Sequence, residues 1–579
     1  SANTTADHNT ALGYEALLSN TGGERNTAVG SKALDTNTSA SNNTAVGFAS
    51  LDANTTGAQN VSVGSYSLDA NTTGSNNVAI GHAALSTATT ATGNTAVGRD
   101  ALVANTTAQN QVAVGYEAGA ALTTGDENTA IGARALRSST TGYDNVAVGR
   151  DAMYTNVSGG RNVVVGMYAG YYHTGGAEST FNTSIGFAAG QGTAAYTGKF
   201  NTSVGGEAGY SVSTGSYNAS FGYKALRDAT TGNYNTAIGY AANENSTTGY
   251  ENTVVGAAAM LNSTTAHRNA ILGYVAGRDL TTGNNNVAIG YAAMFNATTT
   301  SNSIAIGAGA GTNLTTGNNN IAIGTESNYS GTTGSGNVSI GHIALRNVTT
   351  GGSNVAVGFN SLNDVTTGAN NTGIGRDCGT AIQTGNRNTL IGSYVATDIA
   401  SGSDNVAMGY NVAVGSSIGN SITIGSGLSS AGSNYFAFGK SGNVVSNQFT
   451  SNASWSRTSD RRLKKDIKDD TLGLSFINDL NTVTYRWKDA SELDANDPDM
   501  QSRLDSEMDT EVVMHGLIAQ DVKEALDNQG CDSFGGWSVD DENVQHISRE
   551  MFVIPLIKAV QELSAQVEEL KAEIETLRS

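Results

Sequence analysis

Apolar and polar residues alternate along residues 1–425 in a unit that recurs every 17 residues. The unit reads Asn-x-Ala-(Val/Ile)-Gly, and its glycines run in steps of 17 except for one step of 20 and one of 19, between Gly166 and Gly205. Each of these 24 glycines follows an apolar residue. Asn lies four residues before 22 of them, with Gln111 and Ser303 as the exceptions. A period this regular indicates a repeat architecture in which each unit stacks on the next.

The order of residues inside one unit predicts its local structure. Val or Ile before the glycine alternates with Ala or Ser and then with Thr or Val, which is the period-two pattern of a strand. A second apolar pair and a Thr-Thr-Gly turn follow, so we expect two short strands and two turns per unit. Coils stacked about 4.8 Å apart would build a rod on the order of 120 Å long.

Two positions of the unit, the recurrent Asn and the invariant Gly, carry further expectations. Stacked Asn amides are expected to hydrogen-bond from coil to coil. The glycine is expected to have a positive φ or a close backbone approach, such as at a symmetry axis. Because a coil of such small residues has little core of its own, we infer that three chains pack together and bury their apolar strand faces. The fold class predicted is therefore mainly β, a homotrimeric parallel β-roll or β-solenoid.

The repeats resemble those in the heads of trimeric autotransporter adhesins. The resemblance rests on the run "NTAVGYxAL…NTTGxN" and covers roughly residues 5–425. It implies left-handed parallel β-rolls that assemble as trimers, and similar repeats occur in phage tail fibres. After Gly409 the glycine spacing shortens, so residues 426–456 are expected to form a stem or linker after the shaft of residues 1–425.

Aromatic residues often follow the repeat glycine, and they are candidate contacts for a glycan if they face outward. The alternative is that they cover the edge of the roll or the trimer seam. The irregular stretch 167–205 is either a binding face or a set of longer coils that the repeat structure simply tolerates. The candidate glycan contacts are Tyr116, Phe187, Tyr223, Tyr240, Tyr274 and Tyr291.

Composition divides the chain in two. Residues 1–450 hold 39 charged side chains and residues 451–579 hold 41, together with all three Trp and both Pro. The net charge of −20 disfavours nucleic acid as a partner. Cys378 and Cys531 give neither a disulfide framework nor metal-ligand spacing. The sequence contains no run of 18 apolar residues, so no membrane span is predicted. Because the chain starts at Ser1, we expect it to be a processed or truncated piece.

Residues 457–579 predict a small α+β domain that ends in a coiled coil. Residues 472–489 look like a helix followed by a strand, and residues 511–526 look like a strand ending at Gly516 followed by a helix. The acidic stretch between them predicts a solvated loop. A heptad pattern predicts a coiled coil over 556–579. Its positions are Leu556, Val560, Leu563, Val567, Leu570, Ile574 and Leu577.

Four ordered segments of this domain resemble the intramolecular chaperone at the C-terminus of phage endosialidases and other tailspikes. They are "SDRRLKKDI", "YRWKD", "HGLIAQDV" and "PLIKAVQEL". The resemblance implies a domain that holds three chains together while the fibre folds and then cuts itself off. It also implies a Ser-Lys dyad, which falls on Ser459 and Lys464. The candidate cleavage bonds are Thr458–Ser459 and Ser459–Asp460.

The dyad is chemically reasonable. A Ser hydroxyl is a weak nucleophile unless a neighbouring base takes its proton. Lys464 is such a base only if burial or like charge lowers its pKa, and Arg461, Arg462 and Lys465 supply like charge. Closure of a trimer interface would add desolvation and couple cleavage to assembly. His515, at a strand end beside a glycine, is interpreted as structural.

The leading functional hypothesis is a phage tail-fibre or tailspike shaft for host attachment, located in the virion. It would need no cofactor or metal and would have autoproteolysis as its one activity. Its partners would be two further copies of the chain, a host-surface glycan or protein receptor, and an N-terminal partner outside this chain. One alternative is a trimeric adhesin on a bacterial cell surface that carries the same module. The other is a glycan-degrading tailspike enzyme, disfavoured because the repeats supply no acidic pair in a cleft.

Overall fold

The chain forms two compact units, Ser1–Thr458 and Ser459–Ser579. The computed structural model describes residues 6–174, 180–194, 196–450, 456–457, 461–488, 492, 511–540 and 543–579. Among the described residues of the first unit, 28 strands form one sheet. The predicted mainly β solenoid with 17-residue turns is confirmed.

The solenoid contains one short strand per coil. Strands of successive coils pair in parallel with equivalent residues side by side, so that Ala28 lies beside Ala45. The strand bounds are Thr10–Leu12, Thr27–Val29, Thr44–Val46, Val61–Val63, Val78–Ile80, Thr95–Val97, Val112–Val114, Thr129–Ile131, Val146–Val148, Val163–Val165, Thr183–Ile185, Thr202–Val204, Ala219–Phe221, Thr236–Ile238, Thr253–Val255, Ala270–Leu272, Val287–Ile289, Ile304–Ile306, Ile321–Ile323, Val338–Ile340, Val355–Val357, Thr372–Ile374, Thr389–Ser393, Val406–Tyr410, Ile422–Ser426, Tyr435–Lys440, Asn443–Gln448 and Ser456–Arg457.

In the three-residue strands from Thr27–Val29 to Thr372–Ile374, the central residue points into the solenoid and its two neighbours point out. Ala28 is fully buried, whereas Thr27 and Val29 are half-buried. Because successive side chains of a strand lie on opposite faces, the small residue fills the narrow interior. The larger apolar residues therefore form an outer face that runs from coil to coil.

The second strand expected in each unit is wrong for the coils that the structure describes. The Ala-Leu pair lies in a turn segment, where Lys32 has a φ of 59° and Leu34 a φ of 50°. A left-handed residue on either side of Ala33 prevents an extended conformation. Leu34 is nevertheless fully buried, so this segment forms the other wall of the interior.

The predicted column of Asn amides is confirmed. The backbone N–H of Asn43 donates to Oδ1 of Asn26 at 2.9 Å, and Nδ2 of Asn43 donates to the carbonyl of Gly57 at 2.9 Å. The two exceptions preserve the column. Oε1 of Gln111 accepts a backbone N–H at 3.2 Å, and Oγ of Ser303 accepts one at 3.1 Å.

The repeat glycine satisfies both expectations made for it. Gly30 has a φ of 131°, and a Cβ at this position would overlap the carbonyl of Gly47 in the next coil. The close approach is therefore between successive coils of one chain rather than at a symmetry axis. Any side chain here would push the coils apart.

Two positions of the coil compensate for each other in the size of the side chain that fills the interior. Where the buried residue after the alanine is Leu34, the residue three positions later is Asn37. Where it is Gly119, that later residue is Leu122, whose Cδ1 lies 2.9 Å from where a Cβ of Gly119 would be. A second side chain thus replaces the missing one, which keeps the core closely packed.

The sheet continues beyond the last regular coil. Tyr435–Lys440 pairs in parallel with Ile422–Ser426 and antiparallel with Asn443–Gln448. Ser456–Arg457 adds a final antiparallel pairing. The region expected to be a stem thus ends the solenoid with a hairpin.

The second unit contains the helix and strand pairs that its sequence predicts. Its core is Leu472, Phe476, Val522, Ala525 and Leu526. The acidic loop predicted between its strands falls mostly outside the described residues. The elements are the 3-10 turns Arg461–Leu463 and Arg549–Phe552, the strand pairs Val483–Tyr485 with Met514–Gly516 and Trp537–Val539 with Gln545–Ile547, and the helices α1 (Leu474–Asp479), α2 (Ala519–Asn528) and α3 (Val553–Arg578).

Candidate self-cleavage and assembly site

The dyad segment begins the second unit. Thr458, Ser459 and Asp460 lie outside the described residues, so the distance between the two predicted dyad side chains is not tested. Lys464 directly follows the 3-10 turn Arg461–Leu463, and its backbone N–H donates to the carbonyl of Arg461 at 3.2 Å. The Lys464 side chain is exposed in the single chain.

The N-terminus of α1, which follows this segment in the chain, is hydrogen-bonded to α3. Glu562 on α3 accepts a hydrogen bond from the backbone N–H of Leu474 at 2.7 Å. A Cβ on Gly473 would overlap the Glu562 carboxylate, so a larger residue there would require the Glu562 side chain to move. A carboxylate at a helix N-terminus satisfies a backbone donor that the helix itself leaves free. This contact joins residues 88 positions apart in the chain.

Helix α3 presents its heptad stripe to solvent in the single chain. Only Pro555 and Ala559 of this helix are buried. The heptad side chains Leu556, Val560, Leu563, Val567, Leu570, Ile574 and Leu577 are 41–82% exposed. A row of large apolar residues at this spacing is the contact surface of a coiled coil.

His515 lies on the strand Met514–Gly516. It pairs with Thr484 across the two short strands. Both residues line a cavity of about 690 Å³ beside the start of α3. Arg549, at the same cavity, donates from Nη2 to the hydroxyl of Tyr485 at 3.3 Å.

The aromatic residues that follow the repeat glycines face outward, as the glycan hypothesis requires. Two pairs stack coil on coil: Tyr223 with Tyr240 at a centroid distance of 5.7 Å, and Tyr274 with Tyr291 at 5.9 Å. Stacking covers one face of each ring in a pair. Tyr116 instead donates its hydroxyl hydrogen bond to Glu117, and Phe187 meets Tyr168 edge to face. Binding of a glycan to these rings stays a prediction.

A second aromatic column was missed by the sequence reasoning. Phe181, Phe200, Tyr217 and Tyr234 stack at centroid distances of 4.9–5.1 Å, with interplanar angles of 7–12°. Each ring directly precedes the invariant Asn of its coil. That fixed place in the unit is the signal that would have revealed the column.

The irregular coils bury two aromatic side chains that were also missed. His173 stacks on Tyr196 at 4.2 Å, and its Nε2–H donates to the carbonyl of Gly190 at 2.9 Å. Burial lowers the pKa of His173 from 6.5 to about 4 and raises the pKa of Tyr196. The imidazole is therefore neutral near pH 7. These rings fill the interior of the enlarged coils.

The described residues contain no group of three or more His, Cys, Asp or Glu side chains placed to hold a metal ion. Among the same residues, no helix is both long and apolar enough to cross a membrane.

Residues 459–531 match the family model described as chaperone of endosialidase. The matched segment begins at the residue where the second compact unit begins. A search of curated proteins found no match to the chain. The family match and the solenoid before it fit a tail fibre or tailspike with a C-terminal chaperone.

Proposed function

We propose that this chain is the shaft of a homotrimeric phage tail fibre or tailspike that attaches the virion to its host. Its C-terminal unit would bring three chains together and direct the folding of the shaft, and would then remove itself by autoproteolysis. The observation that carries the proposal is the chaperone-of-endosialidase match at residues 459–531, which directly follows a long β-solenoid. The family suggests a homotrimeric assembly in a tail-fibre context.

Two exposed apolar surfaces support assembly of several copies. On the solenoid, the strand residues that point outward include Ile238 at 42% and Leu272 at 48% exposure. Equivalent Val, Ile and Leu side chains recur in nearly every coil. On the second unit, α3 exposes its heptad stripe. Contiguous apolar surfaces of this kind are typical of protein interfaces.

The proposed cleavage uses Ser459 as nucleophile and Lys464 as base. The Lys464 amine, in its neutral form, would take the proton of the Ser459 hydroxyl as the oxygen adds to the scissile carbonyl. The amine of the broken peptide bond leaves with a proton, and water then hydrolyses the ester to a carboxylic acid. Because Lys464 is exposed in the single chain, we propose that packing of neighbouring copies removes it from water and so makes cleavage depend on assembly.

Denaturing mass spectrometry tests the cleavage directly. The parent chain would be compared with the Ser459→Ala and Lys464→Ala variants, and with Lys468→Ala as a control for loss of an exposed lysine nearby. We expect the parent and the control to split at one of the two bonds beside Ser459, and both dyad variants to stay intact. An intact parent that is trimeric by mass in native buffer would overturn the autoproteolysis and leave the chaperone role.

A further inference from the structure

Helix α3 has two different faces along its first turns. Pro555, Ala559 and Glu562 are spaced four and three residues apart, so they lie on one side of the helix. Pro555 and Ala559 are the buried residues of α3, so this side packs against the rest of the unit. The heptad stripe begins at Leu556 and lies about 100° further around the axis. One helix therefore joins the predicted coiled-coil surface to the body of the C-terminal unit.

Glu562 is the charged residue on the side of α3 that faces the body. Its carboxylate accepts the backbone N–H of Leu474 at 2.7 Å. Gly473 is the N-cap residue of α1, and it has no side chain with which to cap the helix. A hydrogen bond to an ionised carboxylate is stronger than one to a neutral acceptor. Glu562 therefore supplies from α3 the cap that Gly473 lacks.

The chain between the predicted base and α1 is exposed. Every residue of 464–471 is exposed, and Leu472 and Gly473 are the first buried positions that follow. Just before them, the Asp470 side chain accepts the backbone N–H of Leu472 at 3.0 Å, which forms a local turn. The dyad segment thus meets the folded body of the unit at the point where Glu562 holds α1.

We propose that Glu562 is a positioning residue for the proposed autoproteolysis. It joins the helix whose heptad stripe brings three copies together to the end of the segment that carries Lys464. When three α3 helices pack, the end of the dyad segment is then held in one place relative to the assembled helices. This inference rests on the proposed function and adds a residue that links assembly to cleavage. Glu562 acts through the backbone of Leu474, and the reacting groups stay those of Ser459 and Lys464.

The half-time of cleavage in the full chain tests this role. A pulse of labelled methionine in expressing cells, followed by denaturing electrophoresis, gives that half-time for each variant. Glu562→Ala removes the acceptor, and Gly473→Ala adds a Cβ that would overlap the carboxylate. We expect both substitutions to lengthen the half-time at least tenfold. Glu562→Gln keeps an acceptor oxygen, so its half-time should stay within threefold of that of the parent.

Glu569→Ala is the matched control for loss of a carboxylate on α3. Glu569 lies seven residues further along the helix, at the same heptad position as Glu562, and is exposed. Its removal should leave the half-time within twofold of that of the parent. Each variant is also made with Ser459→Ala, and all of these uncut chains should be trimers by native mass spectrometry.

A Glu562→Ala variant that is cut as fast as the parent would overturn this inference. A glutamine variant as slow as the alanine variant would also overturn it, because the acceptor would then not set the rate. Loss of the trimer in Glu562→Ala would overturn it too, since the contact would then serve assembly alone. A parent that is trimeric but never cut would overturn the proposed autoproteolysis itself, so the two failures are distinguishable.

Discussion

The solenoid and the C-terminal unit differ in what they bury. The solenoid interior is built from Ala, Leu and columns of Asn, and each coil repeats the same few contacts. The C-terminal core is apolar and assembled once, around Phe476, with Phe534 and Phe552 packed against it at 5.7 Å and 6.2 Å. One region depends on hydrogen bonds between coils, and the other on side chains brought together from distant parts of the chain.

This difference indicates where each region tolerates change. In the solenoid, backbone and amide groups of adjacent coils are in direct contact, so an added atom or a lost acceptor affects two coils at once. In the C-terminal unit, the glycine Gly530 has open space around it although its φ is 64°. We therefore expect the solenoid to be sensitive at its invariant positions and the C-terminal unit to be sensitive mainly in its core.

The largest expected effect is at a repeat glycine. In Gly239→Ala, the added Cβ would lie 2.6 Å from the carbonyl oxygen of Gly256, at a φ of 134°. The substitution should destabilise the solenoid by ~4 kcal/mol, since both the contact and the backbone conformation are unfavourable. Gly530→Ala should cost only ~1 kcal/mol, the strain of a left-handed alanine. Thermal unfolding followed by circular dichroism measures both variants. Equal losses of stability in the two variants would contradict the expected difference between the solenoid and the C-terminal unit.

The Asn column should show a smaller effect. Oδ1 of Asn252 accepts hydrogen bonds from the backbone N–H of Asn269 at 3.0 Å and from its Nδ2 at 3.1 Å. Asn252→Ala leaves these donors buried without that acceptor, at a cost of ~3 kcal/mol. Asn252→Ser should recover part of the loss, because Ser303 serves the same role in its own coil. Chemical denaturation compares the stabilities of the variants. A serine variant no more stable than the alanine variant would be evidence that the acceptor in the Asn column does not stabilise the solenoid.

The smallest expected effect depends on pH. Because the pKa of His173 is lowered from 6.5 to about 4, the unfolded chain binds a proton over that range while the folded chain does not. The stability that the neutral ring contributes is complete above pH 6.5 and falls as the pH drops toward 4. The loss should reach ~2 kcal/mol between pH 7 and pH 5.

His173→Leu is the matched variant for this measurement, since Leu122 and Leu280 occupy the same place in other coils. Its unfolding free energy should lose that part of the pH dependence. A parent and a variant with parallel pH profiles would show that the irregular coils do not hold a neutral histidine.

Much of the solenoid could be predicted because each residue lies beside the equivalent residue of the next coil, usually 17 positions away. The period predicted the parallel pairing, and the recurrent Asn and invariant Gly indicated the hydrogen-bonded column and the close contact between coils. The second strand expected at the Ala-Leu pair is wrong because apolar residues alone do not reveal left-handed φ values such as that of Leu34. The predicted role of Ser459 stays a prediction.

The sequence by itself determined the repeat, the division of the chain at the start of its charged part, and the heptad helix, because these depend on local spacing. Only the tertiary structure decided how volume is exchanged between Gly119 and Leu122, how His173 stacks on Tyr196, and how Glu562 caps α1. These contacts join side chains whose complementarity appears only after the backbone has brought them together. Their energies depend on distance and burial, and the order of residues does not encode either quantity directly.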